Sequence, residues 1–174
     1  KTEETSTLSK EKAQDVFQNP EKTSKEDSIL RAKVLDEDKY NFISDNQEKE
    51  LFTLFTPAKG IVSEKFNIDL KHFAVDIALR ENTPIKSVAE GTVIFSEWTA
   101  QTGYVIILEH PNGLLSVYKH NASLSKQQGD NVESGEVIAS AGNTGEFSTG
   151  FHLHFELWID GYPIDPENLI DFSK

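Results

Sequence analysis

All ten glycines of this 174-residue chain lie from Gly60 onward, and the first fifty residues contain none. Glycine supplies the backbone conformations that tight turns need, so the turn-rich part of the chain is its C-terminal part. From Leu51 the apolar residues recur with period two and favour β-branched and aromatic types, the pattern of half-buried strands. Ser87–Phe95 (SVAEGTVIF) reads as two strand pieces around Glu90-Gly91, and Tyr104–Glu109 (YVIILE) as a strong strand. Pro111-Asn112-Gly113 signals a turn, with Leu114–Tyr118 running back to complete a hairpin. Gly135–Ser140 and Leu153–Ile159 read as further strands, and Asp160-Gly161 as a turn into Tyr162–Ile164. No helix of any length is expected after Leu51. Residues 51–174 are thus expected to form one small all-β domain of short antiparallel strands.

Residues 1–50 differ in kind. They carry 9 Lys/Arg and 13 Asp/Glu, and their weakly patterned opening reads as a disordered or loosely helical tether. Thr23 with Glu26 has the spacing of a capping box. Ile29, Leu30, Val34 and Leu35 follow at helical spacing, which predicts one short helix over about 25–39. The chain has no run of 18 apolar residues that could span a membrane. It begins at Lys1 rather than Met, so a processed product that has lost a targeting or anchoring segment is expected. A net charge of −12 argues against a nucleic-acid partner, because phosphate neutralisation needs clustered Lys and Arg.

The chemistry lies in four of the five histidines and one aspartate. His72 and Asp76 stand four apart in KHFAVDI, His152 and His154 two apart in GFHLHFEL, and His120 closes SVYKH. Side chains at even separations share a face of a strand, so each pair is expected to project from one face if its backbone is extended. By the same parity Tyr118 and His120 share a face. The chain has no cysteine, which leaves imidazole and carboxylate as ligands for a metal such as zinc. A catalytic zinc usually takes three protein ligands and keeps a fourth position open. His72, Asp76 and one of His152 and His154 supply that count. No HExxH motif places a glutamate as base, so the remaining imidazoles are the candidates for proton transfer and transition-state stabilisation.

Over residues 57–170 the chain resembles the lysostaphin-type (LytM-like) zinc metallopeptidases, which cleave peptide cross-links of bacterial peptidoglycan. KHFAVDI corresponds to the family's HxxxD motif, YKH to its Tyr-x-His segment and STGFHLHFEL to its HxH motif. TPIKSVAEGTVIFSEW, SGEVIASAGNTG and PIDPENLI follow similar family segments in the same order. The resemblance implies a small antiparallel β-sandwich or barrel-like domain of duplicated-hybrid-motif type, with its active site on the floor of a narrow groove. It implies one zinc ion on His72, Asp76 and His154, with His120 and His152 as the catalytic histidines. It implies peptidoglycan stem peptides or cross-bridges as substrate and a periplasmic or extracellular place in the cell envelope. A membrane tether upstream of this chain and envelope-protein partners are compatible with it. Some relatives with this fold have lost their ligands and activate other cell-wall hydrolases. Here all the ligands are present, so the endopeptidase reading leads and the non-catalytic module is the alternative. The chain departs from the family at Ala74, commonly Gly, and at Phe151, commonly Pro.

Other residues have plainer expectations. His110, beside Pro111, reads as an exposed turn residue without function. Glu156 continues the HxH face, where it either orients a ligand from behind or is an ordinary exposed strand residue. Residues 1–56 serve either as a tether, the favoured reading, or as a segment across the groove that holds the enzyme latent.

Overall fold

The computed structural model describes residues 53–173. The helix expected over 25–39 and the domain boundary near residue 50 lie outside the described residues. Ten strands follow in order: β1 Ile61–Glu64, β2 Val75–Ala78, β3 Pro84–Lys86, β4 Gly91–Thr99, β5 Gly103–Glu109, β6 Leu114–Leu124, β7 Asn131–Val132, β8 Val137–Ala141, β9 His152–Ile159 and β10 Tyr162–Ile164. The helical structure among the described residues is two short 3-10 turns, Pro111–Gly113 and Pro166–Asn168. The all-β expectation holds, and every strand pairing is antiparallel.

The sheet runs β1-β2-β9-β6-β5-β4-β7, with β10 beside β9 and a β8–β3 pair attached to β6. The long strand β6 changes partner along its length. It pairs with β9 from Leu114 to Lys119 and with β8 from Asn121 to Leu124. His120 lies at the switch.

Strand β9 shows why the sequence folds this way. Leu153, Phe155 and Leu157 are fully buried, while His152, His154 and Trp158 on the other face are partly exposed. Burying side chains such as Phe155 and Leu157 stabilises the fold by about 1.5–3 kcal/mol each. Val75, Ile77, Ile106, Leu108, Leu114, Tyr118 and Ile138 complete the core around them. Core and site therefore occupy opposite faces of one strand, and a one-residue slip would exchange them.

Three expectations need correction. The strand piece expected from Ser87 up to Glu90 is no strand: β3 lies just before it, over Pro84–Lys86, and Ser87–Glu90 bends away. The bend buries Val88 completely, and the Tyr118 hydroxyl accepts its N–H at 3.1 Å, in place of a strand partner. Burial pushes the Tyr118 phenol up to about 12 against its hydrogen bonds with Ser116, Val88 and Ser87. His110 is buried rather than exposed, at 4% relative accessibility. Its Nδ1 lies 2.7 Å from the Glu90 carbonyl and its Nε2 2.6 Å from Ser116 Oγ. The turn tucks it beneath the Glu90 bend, where a histidine with both nitrogens partnered can be buried. The third correction concerns Tyr118 and His120. Tyr118 points into the core against Phe155, with ring centroids 5.3 Å apart, whereas His120 points to the opposite, histidine-bearing face. His120 has a left-handed φ of 65°, which breaks the period-two alternation where β6 changes partner.

Candidate active site

The β2–β9 register sets the first contacts. Asp76 pairs with His154 and Ala78 with His152, and directly opposed residues in an antiparallel pair share a face. His154 Nδ1 lies 2.8 Å from Asp76 Oδ1, and His152 Nε2 lies 3.8 Å from Asp76 Oδ2. His72 arrives by another route. The segment from His72 to Asp76 is not one strand, contrary to the simplest parity argument. His72 closes a tight reversal through a bridge to Asn67, with Lys71 at a left-handed φ of 58°. The chain then bends at Ala74, which is completely buried, and β2 begins at Val75. Ala74 thus packs inward instead of sharing the ligand face. His72 Nε2 still comes within 3.4 Å of Asp76 Oδ1, and its ring stands nearly perpendicular to that of His154, centroids 5.4 Å apart.

His72, Asp76 and His154 each offer one donor atom, and these atoms lie within 4.8 Å of one another. Their hydrogen bonds favour a cation between them. His72 Nδ1 is 2.9 Å from the Lys65 carbonyl, which only an N–H can satisfy, so Nε2 carries the lone pair. That Nε2 is buried and has no hydrogen-bond partner. His154 faces a carboxylate at each nitrogen, Asp76 at Nδ1 and Glu156 at Nε2, 3.1 Å away. A neutral imidazole has one N–H, so it can serve only one of them. A metal ion on the Asp76 side resolves the conflict. Without one, only a doubly protonated His154 serves both carboxylates: burial works against that form, but the bonds to Asp76 and Glu156 prevail and raise its pKa. Burial likewise pushes Asp76 up, yet the His154 hydrogen bond and the charges of His154, His152 and His72 outweigh it and hold the carboxyl below its ordinary value.

His120 and His152 form a second pair, ring centroids 4.9 Å apart, with His120 5.9 Å from His154. Both are anchored alike. His120 Nδ1 lies 2.9 Å from the Thr144 carbonyl and His152 Nδ1 2.8 Å from the Gly150 carbonyl. Each Nδ1 must donate, which leaves each Nε2 as an acceptor. Burial lowers the pKa of His120; the Thr144 carbonyl opposes this, while charges on His152 and His154 add to it.

Glu156 is buried, not an ordinary exposed strand residue. Besides His154, Lys119 Nζ pairs with its Oε1, and Trp158 Nε1 donates to Oε2 at 2.8 Å. Burial would raise its pKa, but His154, Lys119 and Trp158 bring it down to about 2. Sequence reasoning missed Lys119, Trp158, Thr144 and the Gly150 carbonyl. For Lys119 parity points the wrong way: it is one residue from His120, yet the left-handed kink at His120 leaves both on the face of His154. The carbonyls leave no trace in residue type.

Comparisons with known proteins place the chain in a family. The model of the family described as Peptidase family M23 matches residues 70–166, which include all five site residues. The "DD-carboxypeptidase/endopeptidase Mpg" of Neisseria meningitidis serogroup B (strain ATCC 13091 / M2091) is 39% identical over 95 residues, covering 55% of this chain and 22% of that protein. The "Murein hydrolase activator EnvC" of Escherichia coli (strain K12) is 30% identical over 117 residues, 65% of this chain and 28% of that protein. This chain therefore spans about a quarter of the length of these curated relatives. Among solved structures, a putative peptidase M23 from Pseudomonas aeruginosa superposes with a TM-score of 0.64 at 29% identity, covering 69% of this chain and 51% of that one.

Proposed function

This chain belongs to peptidase family M23, and on that premise we propose that it is a zinc-dependent endopeptidase acting on the peptide cross-links of bacterial peptidoglycan. The observation that carries the reading is the orientation of the two anchored imidazoles. Both His120 and His152 tie Nδ1 to a backbone carbonyl; His152 Nε2 lies 3.8 Å from Asp76 Oδ2, and the His120 ring lies 5.9 Å from that of His154. His72 Nε2, Asp76 and His154 Nδ1 would hold the zinc, two imidazoles and a carboxylate being a donor set zinc accepts at catalytic sites. A bound zinc ion supplies Lewis acidity to the reacting centre.

The chain's own residues do the rest. One of His120 and His152 accepts a proton at Nε2 as water attacks the scissile carbonyl carbon. The other stabilises the charge that develops on the carbonyl oxygen. The accepted proton then passes to the departing amine as the C–N bond breaks. Neutral Nε2 is needed for the first step, and the burial that lowers the His120 pKa favours that form. The same reading puts the protein at work in the cell envelope, periplasmic or extracellular, with stem peptides or cross-bridges as substrate.

The test is digestion of cross-linked muropeptides and oligoglycine peptides by the zinc-loaded protein, with the released peptides identified. Cleavage is expected, and loss of both zinc and cleavage in His154→Ala. If a verified enzyme of the family cuts these substrates and this protein leaves both intact, the endopeptidase reading falls. The murein hydrolase activator among the relatives gives the alternative, a non-catalytic module that activates other cell-wall hydrolases. Protein without zinc, together with a His154→Ala variant that keeps its cellular role, would favour it.

A further inference from the structure

Both carbonyls that anchor the paired imidazoles belong to one loop, residues 142–151, between β8 and β9. The loop starts and ends beside the residues it serves. Gly142 bridges to His152, and a Cβ on Gly142 would lie 2.3 Å from the Ala122 nitrogen. Its first turn is locked by one side chain. Thr144 Oγ1 donates to the Asn121 carbonyl at 2.6 Å and accepts the Tyr104 N–H at 3.1 Å. It thereby ties the loop to β6 just past His120 and to β5.

The packing around this tie leaves no slack. Gly103, at φ 67°, has Thr144 where its Cβ would be, with Oγ1 2.0 Å from that point. Gly145 lies against Gly103 in the same way, its Cβ position 2.3 Å from the Gly103 nitrogen. The His120 backbone N–H donates to the Thr102 carbonyl at 3.0 Å. Three segments thus meet at His120: the β4–β5 turn, the left-handed kink in β6 and the start of the loop. The farther end carries a second hydroxyl, Ser148 Oγ, which lies 2.6 Å from Asn143 Oδ1 and 3.1 Å from the Gly150 carbonyl.

We propose that Thr144 is a positioning residue: its hydroxyl clamps the loop so that its own carbonyl holds the proton of His120 on Nδ1 and leaves Nε2 free to act. The carbonyl alone would select the tautomer, but a carbonyl at the start of a ten-residue loop is only as fixed as that loop. The hydroxyl fixes it from two sides with the donor and acceptor capacity of a single atom. Thr144 touches no reacting group and acts through His120. The role in catalysis rests on the endopeptidase reading; the tautomer does not.

Ring 15N spectra of the zinc-loaded protein test this without substrate, at about pH 8, well above the ordinary histidine pKa. The wild type is expected to show His120 protonated at Nδ1 alone. Thr144→Val, which keeps the shape and removes the hydroxyl, is expected to mix the two tautomers of His120. Thr144→Ser is expected to restore the single form. On any substrate the wild type cleaves, Thr144→Val is expected to lower kcat roughly tenfold with little change in KM, since a misaligned imidazole, as base or as oxyanion donor, loses transition-state and not ground-state interaction. A wild-type His120 protonated at Nε2 overturns the proposal, and this reading needs no variant to fold. An unmixed tautomer in Thr144→Val, or a Thr144→Ser protein that behaves like Thr144→Val, overturns it equally. A protein that cleaves nothing yet shows the expected tautomers would sink the endopeptidase reading and leave this one standing.

Discussion

His110 shows how much a single side chain can depend on its surroundings. Two short hydrogen bonds hold it in a buried site, one to the Glu90 carbonyl and one to the Ser116 hydroxyl. His110→Ala leaves both partners without their bond, which costs about 1–3 kcal/mol. The effect should depend on pH. Burial lowers the folded-state pKa of His110, against the opposing Glu90 carbonyl, so the folded protein prefers the neutral ring. The stability this gives is fully present above the unfolded value of about 6.5 and is lost as pH falls through the lowered folded value. Urea unfolding of wild type and His110→Ala across that window should therefore show the two stabilities converging toward acid. Parallel curves would mean that His110 does not titrate on unfolding as burial requires. The same balance of burial against partners separates the ionisable groups of the candidate site: burial would raise the Glu156 pKa, but three donors, His154, Lys119 and Trp158, outweigh it and bring the value down to about 2.

At the scale of the element, β9 divides two tasks between its faces. Phe155 packs on Tyr118 and Phe172, with centroids 5.3 and 6.4 Å away, while the neighbouring His154 and Glu156 face the site. Phe155→Ala should destabilise the domain by about 3–5 kcal/mol. Thermal or urea unfolding of the metal-free protein measures this directly. A loss below about 1 kcal/mol would show that the core can close over the gap, unlike a close-packed interior. Strand β6 is less regular, and its irregularity is useful. Had it kept its alternation through His120, that ring would have joined Tyr118 in the core. The left-handed kink instead delivers it to the histidine face while the strand passes from β9 to β8. The reversal at Asn67–His72 does similar work for His72, placing it beside β2 without lengthening that strand.

For the whole molecule, the first fifty residues pose the functional question. Their polar composition favours a tether over a cover for the groove. On the proposed endopeptidase function, the tether reading predicts equal rates of muropeptide hydrolysis for the full chain and for a chain beginning at Leu51; a faster truncated chain would establish latency. Much of the described domain was legible in advance. The strands over Tyr104–Glu109, Leu153–Ile159 and Tyr162–Ile164 follow from period-two patterning and turn residues, because the sidedness of a strand is a local property. The short β1, β3 and β7 were not legible, since two to four residues are too few to show a period and, unlike the equally short β10 after Asp160-Gly161, they follow no Asp-Gly hairpin turn. The residue types of the candidate site were also legible in the sequence: imidazoles and one carboxylate, no thiolate, in three motifs. What only the tertiary structure decided is how those groups face one another. His120 crosses to the site because of a kink where its strand changes partner. His110 is buried because a bend closes over it. His120 and His152 each turn Nδ1 to a carbonyl, 24 residues away for His120 and two away for His152. Residue types specify which atoms can donate or accept. Which lone pair is left free depends on backbone groups brought together only by the folded chain, and every residue type carries those alike.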